Sequence, residues 1–377
     1  FPTRRSSDLT DSLLLNFSAY LPGQRLVPGE TLILLDEIQD CPSARSSLKY
    51  WDMDGRYDVI ASGSLLGIDY KRASSYPVGY VDYLQMYGLD FEEFLWAQGV
   101  SEDMISALEE IFRAQSKVPD AIHSKMMQYF RLYIALGGMP EVVQQYVDTK
   151  DFRVAHKTQR DLLQGYLYDI ARYANAEEKV KAEKCFLSLT RQLLDKENHK
   201  FQYKEIESGA KAQKYYSSIE WLIRADIVRM SRNVTDIRYD LDDYIREHNF
   251  RVYTSDMSLL IAMKDFALKQ HIVENTLNGN TKGGIYECAI ADMLIKKSYP
   301  LYFYKNDTTK KEIDFLIQRD GEVVPIEVKS GKTKAASLNQ LMKKRPEFPV
   351  AYKFLDGNVG AGENRIVSMP LYMAMFV

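Results

Sequence analysis

The apolar positions of the chain recur with different periods in successive stretches. Leu32–Leu35, inside TLILLDEIQD, is an unbroken apolar run, the pattern of a strand buried on both faces of a parallel sheet. Tyr57–Ser64, YDVIASGS, is a second short β-rich run that ends in small polar residues, and Cys41–Trp51 between the two predicts a crossover helix. From about Phe91 to Lys196 the period is helical, with amphipathic runs at Ser101–Gln115 and His123–Leu136. Gly137-Gly138-Met139-Pro140 breaks that pattern before Glu141 restarts it, since proline suits a first helical turn.

Residues 200–234 predict a short strand, a helix, a turn and a second helix. Ile219, Leu222, Ile223 and Ile227 would line one face of the second. This order resembles a winged-helix module. Further on, Gly283–Lys297 reads as a helix, Tyr299–Lys305, Glu312–Gln318 and Val323–Lys329 as strands, and Ser337–Lys344 as a helix. Asp320-Gly321 makes a hairpin turn between the second and third strands. The opening FPTRRSSDL shows neither a helix nor a strand period; Phe1–Leu9 are expected to be non-native and the chain to be truncated at its N-terminus.

The first strand carries chemistry at its end. In open α/β sheets ligands bind beyond the carboxyl ends of the strands, and Asp36 and Glu37 follow Leu35 directly. Asp36 suits Mg²⁺, directly or through water, and Glu37 suits polarisation of an attacking water. This is the order of a Walker B strand followed by a sensor strand, whose terminal Ser62 or Ser64 would lie near the γ-phosphate or the water.

The phrases LILLDEIQDCPSARSSLKYW, VIASGSLLG, YPVGYVDYLQMYGLDFEEFLWA and LGGMPEVV, in that order, resemble a large prokaryotic family of AAA+ ATPases that usually bear a poorly characterised C-terminal domain. The resemblance runs from about Leu13 over nearly the whole chain. It implies a partial AAA+ P-loop parallel sheet and ATP with Mg²⁺ as cofactors. Glu37 and Ser62 would take catalytic places, and Asp36 and Ser64 nucleotide-binding ones. Two positions depart from the family. No G-x-x-x-x-G-K-[ST] loop occurs: Gly331-Lys332-Thr333 comes nearest, but Ile326 stands where the loop needs glycine. Without that loop the phosphates lose their backbone cradle and lysine. Tyr80 stands where the family often has arginine after the Pro-Val-Gly turn.

A second constellation lies near the C-terminus. Alternation puts Val324, Ile326 and Val328 on one side of their strand and Glu327 and Lys329 on the other, with Asp314 on the adjacent strand and Glu287 on the preceding helix. This resembles the PD-(D/E)xK nuclease core. The resemblance implies that Asp314 and Glu327, completed by Glu287, hold Mg²⁺ or Mn²⁺ through hard oxygen ligands. Lys329 would orient or help deprotonate water, and Lys332 and Gln340 would touch phosphate. A structural salt-bridge cluster and a nuclease fold without activity stand as alternatives.

The expected organisation is therefore α/β: residues 1–9 non-native, 10–99 a partial AAA+ core, 100–196 a helical lid or linker, 197–265 winged-helix-like, and 266–377 a restriction-endonuclease-like domain. The length of 377 residues accommodates this. A net charge of −3 argues against a globally basic nucleic-acid binder. Local surpluses exist, with seven Lys/Arg against four Asp/Glu over 200–234 and twelve against eight over 281–344. They fit DNA as a partner; a protein partner and a homo-oligomer are the other expectations. The three cysteines form no C-x-x-C pair and the five histidines show no ligand spacing, which suits reduced thiols in the cytoplasm. No run approaches the ~18 apolar residues of a membrane span. Two functions remain: a nucleotide-driven enzyme delivering a DNA or protein partner to the C-terminal domain, or a non-catalytic DNA-binding regulator or adaptor.

Overall fold

A computed structural model describes residues 6–63, 79–174, 176–194, 200–306, 308–331, 335–360 and 362–377. These fall into two compact units, Phe1–Met86 with Arg224–Asp226, and Tyr87–Ile223 with Ile227–Val377.

In the first unit α1 (Ser6–Tyr20) precedes β1 (Leu32–Leu35), α2 (Pro42–Asp54) and β2 (Asp58–Ala61). The strands pair in parallel, Ile33 with Val59 and Leu35 with Ala61. A parallel pair needs a crossover, and α2 supplies it with proline in its first turn and Gly55 as its left-handed cap. Ile33, Trp51 and Tyr57 form the buried centre, with Leu13, Leu14 and Phe17 of α1 packed against it. Two expectations change here. The helix α1 begins at Ser6, so Ser6–Leu9 are its first turn rather than patternless. Among the described residues the β1–β2 pair is covered on one face only: Leu34 is 67% exposed, Leu32 49% and, on β2, Ile60 57%, while α1 and α2 serve the Ile33 side.

The second unit begins with helices α3 (Phe91–Ala97), α4 (Glu102–Ala114), α5 (Asp120–Leu136), α6 (Pro140–Thr149), α7 (Phe152–Tyr173), α8 (Ala176–Leu187), α9 (Leu189–Leu193) and α10 (Ala212–Arg224). Then come β3 (Val228–Val234), β4 (Ile245–Thr254), α11 (Met257–Ala262), α12 (Phe266–Val273), α13 (Gly279–Lys296), β5 (Leu301–Asn306), β6 (Lys311–Arg319), β7 (Glu322–Lys329), α14 (Ala336–Lys344), β8 (Ala351–Leu355) and β9 (Ile366–Pro370). All seven of these strands build one mixed sheet in the order β4-β3-β5-β6-β7-β8-β9. The β6–β7 hairpin forms at Asp320-Gly321, both at positive φ (52° and 82°), as a two-residue turn that matches strand twist requires.

The segment expected to be winged-helix-like is rearranged. Its predicted strand and first helix reduce to a single 3-10 turn at Tyr203–Glu205, with Gly209 at positive φ beyond it. The second helix forms as α10 and buries Ile219 and Leu222, but Ile227 falls outside it, past Asp226 at φ 63°. β3 and β4 then join the same sheet as the C-terminal strands, so one sheet spans the expected boundary at residue 265.

Candidate functional site

In the first unit, β1 and β2 end side by side and bring Asp36, Glu37 and Ser62 together. The amide of Ser62 donates to Leu35 O (2.9 Å) and that of Ile38 to Ser62 O (3.0 Å), which continues the pairing one residue past the strands. The Ser62 hydroxyl donates to Asp36 Oδ1, and the Glu37 amide lies 3.4 Å from Ser62 Oγ. Glu37 takes a left-handed backbone (φ 50°, ψ 49°), and its carboxylate accepts from Gln39 Nε2. That conformation is costly for a non-glycine residue and turns the chain sharply after Asp36. Asp36 and Glu37 are both exposed, and their oxygens suit a hydrated divalent ion. Ser64 lies outside the described residues.

In the second unit the C-terminal constellation is present, but its charges are shared differently from the expectation. The register between β5 and β6 slips by one residue between Tyr302, paired with Leu316, and Tyr304, paired with Ile313. Asp314 therefore lies in a β-bulge, a device that re-aims a side chain. Its Oδ2 accepts from the Val328 amide at 2.8 Å, which ties the bulge to β7. Lys329 Nζ lies 2.5 Å from Glu327 Oε1, while the buried Glu327 Oε2 has no hydrogen-bond partner among the described residues. Burial, with Asp314 nearby, lifts the Glu327 carboxyl to about 8 against the pull of Lys329. Burial and then Glu287 lift Asp314 to about 6. Burial pulls the Lys329 ammonium down, but Asp314 and Glu327 outweigh it and hold the group above its usual range.

Glu287 is held by other partners. On α13, it accepts from Arg251 Nη1 at 2.7 Å and from the Tyr253 hydroxyl at 2.7 Å. Arg251 Nη1 also reaches Asp314 O (3.3 Å), and its Nη2 donates to Glu312. Phe315 pairs with Ile326 and its ring meets Tyr253, and Glu287 still raises both the Asp314 carboxyl and the Lys329 ammonium through its charge. Among the described residues no group of three or more His, Cys, Asp or Glu side chains is placed to hold a metal ion. In this structure Glu287, Asp314 and Glu327 do not form such a group. Gln340 is exposed on α14, and Lys332 lies outside the described residues.

Two further clusters were not visible in the sequence pattern. Lys296 Nζ, buried, meets Asp256 Oδ2 (2.6 Å), Asp292 Oδ2 (3.0 Å) and the Tyr133 hydroxyl (2.9 Å). The Gly138 amide donates to both Asp256 oxygens at 3.1 Å. A Cβ at Gly138 would overlap Leu89 O and Lys296 Nζ, which explains the glycine in LGGMP without any chemistry. Burial pushes Asp292 up to about 6, Lys296 opposing and Asp256 adding to it. In the second cluster, Lys269 Nζ is buried against His156 Nδ1 (2.6 Å) and Gln159 Oε1, and burial pulls its ammonium down to about 7.

Three family models match the chain. Residues 3–95 match one described as an AAA domain. Residues 127–270 match a Domain of unknown function (DUF8612), and residues 282–372 a Domain of unknown function (DUF4143). No curated protein and no solved structure matches significantly. The matches support an AAA-type ATPase, with the nucleotide binding and Mg²⁺ use typical of that class, and a C-terminal domain of unknown function. No helix among the described residues is long and apolar enough to cross a membrane.

Proposed function

We propose that the chain is a cytoplasmic AAA-type protein that couples nucleotide binding to action on a DNA or protein partner, with a homo-oligomer as its working form. In this reading Asp36 holds the Mg²⁺ of ATP, Glu37 polarises the attacking water, and Ser62 positions Asp36, with Ser64 beside the phosphate. The observation that carries it is the parallel β1–β2 pair ending with the Ser62 hydroxyl on Asp36. Bound Mg²⁺ would supply charge neutralisation at the phosphates. The chain contains no G-x-x-x-x-G-K-[ST] run, so no Glu37-dependent turnover is expected of it alone. Weak binding remains measurable: millimolar Mg²⁺–ATP raises the melting temperature of the whole chain, and Asp36→Ala removes the rise. Equal responses of the two proteins would overturn the assignment.

For the C-terminal domain, phosphodiester chemistry is supported by Lys329 beside Glu327 and by the unpartnered Glu327 Oε2. Asp314 and Glu327 would hold Mg²⁺ or Mn²⁺, and Lys329 would orient water. The adaptor reading is favoured by a different observation, the commitment of Glu287 to Arg251. Incubation of supercoiled and linear DNA with Mn²⁺ separates them. Nicking lost in Lys329→Ala sustains the nuclease; retention of DNA without nicking sustains the adaptor; failure to retain or cut any DNA sinks both.

A further inference from the structure

Three oxygens from two elements converge on one guanidinium. Glu287 Oε1 on α13 and Asp314 O in the β6 bulge lie 2.7 and 3.3 Å from Arg251 Nη1, and Glu312 of β6 accepts from Nη2. The arginine is 1% exposed and its guanidinium lies 4.3 Å from the Phe303 ring centroid, so packing as well as charge holds it. Tyr253 and Lys305 complete the shell, the first on Glu287 Oε1 and the second on Glu312 Oε2 at 2.7 Å. Two carboxylates and a carbonyl around one position form a set of hard oxygen donors, the kind that would otherwise suit a divalent ion. A cation already fills that position, and it is covalently part of the chain.

We propose that Arg251 is the permanent occupant of the cation position at Glu287. Glu287 then positions Arg251 and is not an ion ligand, and divalent-ion binding by the C-terminal domain runs through Asp314 and Glu327. This rests on the C-terminal reading above only for its second half. Burying Arg251 unpaired would be strongly unfavourable, so Glu287 and Glu312 serve it in the folded state. The arrangement also joins β4, within residues 127–270, to Glu287 of α13 and to β6, both within residues 282–372. The charged face is therefore assembled from both matched regions.

The test uses Mn²⁺ alone, titrated into the full chain and read by the electron paramagnetic resonance of the free ion. Wild type and Glu287→Gln are expected to bind Mn²⁺ alike. Arg251→Gln vacates the oxygen set and is expected to tighten Mn²⁺ binding by about tenfold or more, the scale on which neighbouring groups alter metal affinity. The double variant Arg251→Gln/Glu287→Gln should lose that gain. If Glu287→Gln abolishes Mn²⁺ binding by the wild type, Glu287 is a ligand and the proposal is overturned. It is equally overturned if folded Arg251→Gln shows no gain. Should Arg251→Gln fail to fold, Arg251→Lys replaces it: the shorter single-point cation cannot bridge Glu287 and Glu312, and a Glu287-dependent gain is again expected. A wild type that binds no Mn²⁺ at all, with a gain in the Arg251 variant, keeps this inference and removes the Asp314–Glu327 ion reading.

Discussion

Replacing Lys269 by methionine tests the energetics of the helical part directly. Lys269 is 1% exposed, and its ammonium, ordinarily near 10.5, is pulled down to about 7 by burial. Its hydrogen-bond partners are His156 Nδ1 and Gln159 Oε1, neither of them anionic. Other charged groups near this cluster are Arg160, which opposes a proton on His156, and Asp265, which favours one. Because the folded state binds the lysine proton less tightly than the unfolded chain, unfolding takes up protons between pH 7 and 10.5. Stability therefore rises with pH across that window. The cost of the buried lysine is about 4 kcal/mol at pH 7 and about 1.4 kcal/mol at pH 9.5. Lys269→Met removes this cost and leaves His156 and Gln159 each short of one bond, together about 2 kcal/mol. The variant should be more stable than wild type by about 2 kcal/mol at pH 7 and slightly less stable at pH 9.5. Urea unfolding of both proteins at the two pH values measures the difference. The bond losses are the same at both, so a change in the variant's advantage of about 3 kcal/mol is the quantity to look for. An advantage that does not change with pH would show that Lys269 is not neutralised by burial, and the reasoning fails.

Gly138→Ala should destabilise the second unit by about 3 kcal/mol or more, because the added methyl meets the Leu89 backbone and the buried Lys296 head together; thermal unfolding checks it. Asp256→Asn should cost about 3–5 kcal/mol by leaving Lys296 short of a buried counter-charge, and Asp256→Asn/Lys296→Met should recover part of the loss in a double-mutant cycle. The Glu327 carboxyl is lifted to about 8, so the stability it contributes is full below pH 4.5 and is lost as pH rises through 8. Glu327→Gln should therefore gain on wild type at pH 9 relative to pH 5; denaturation midpoints that move in parallel would refute the lift.

Local pattern alone was enough to place the two parallel strands, the crossover helix between them, and the Asp320-Gly321 hairpin. Each depends on residues adjacent in sequence or on a run whose period reports its own environment. The same holds for Asp36, Glu37 and Ser62: a strand end is a sequence feature, and parallel register puts two such ends together. The exposure of Leu32 and Leu34 was not legible, since an apolar run states what a strand could bury and not what covers it. The C-terminal site shows the limit more sharply. Glu327 and Lys329 share a face, as alternation requires, and Asp314 reaches β7. The bulge at Asp314 was invisible, because a register slip belongs to a pair of strands and leaves no mark on either one's pattern. Arg251 was passed over because it lies in a stretch expected to form a separate winged-helix module, 36 positions before Glu287. Tyr133, Asp256 and Lys296 were hidden because they lie in three different expected segments, 100–196, 197–265 and 266–377. Periodicity tells which residues share a side of one element. Which charges neutralise each other across elements is decided by packing, where burial makes an unpaired charge too costly to leave.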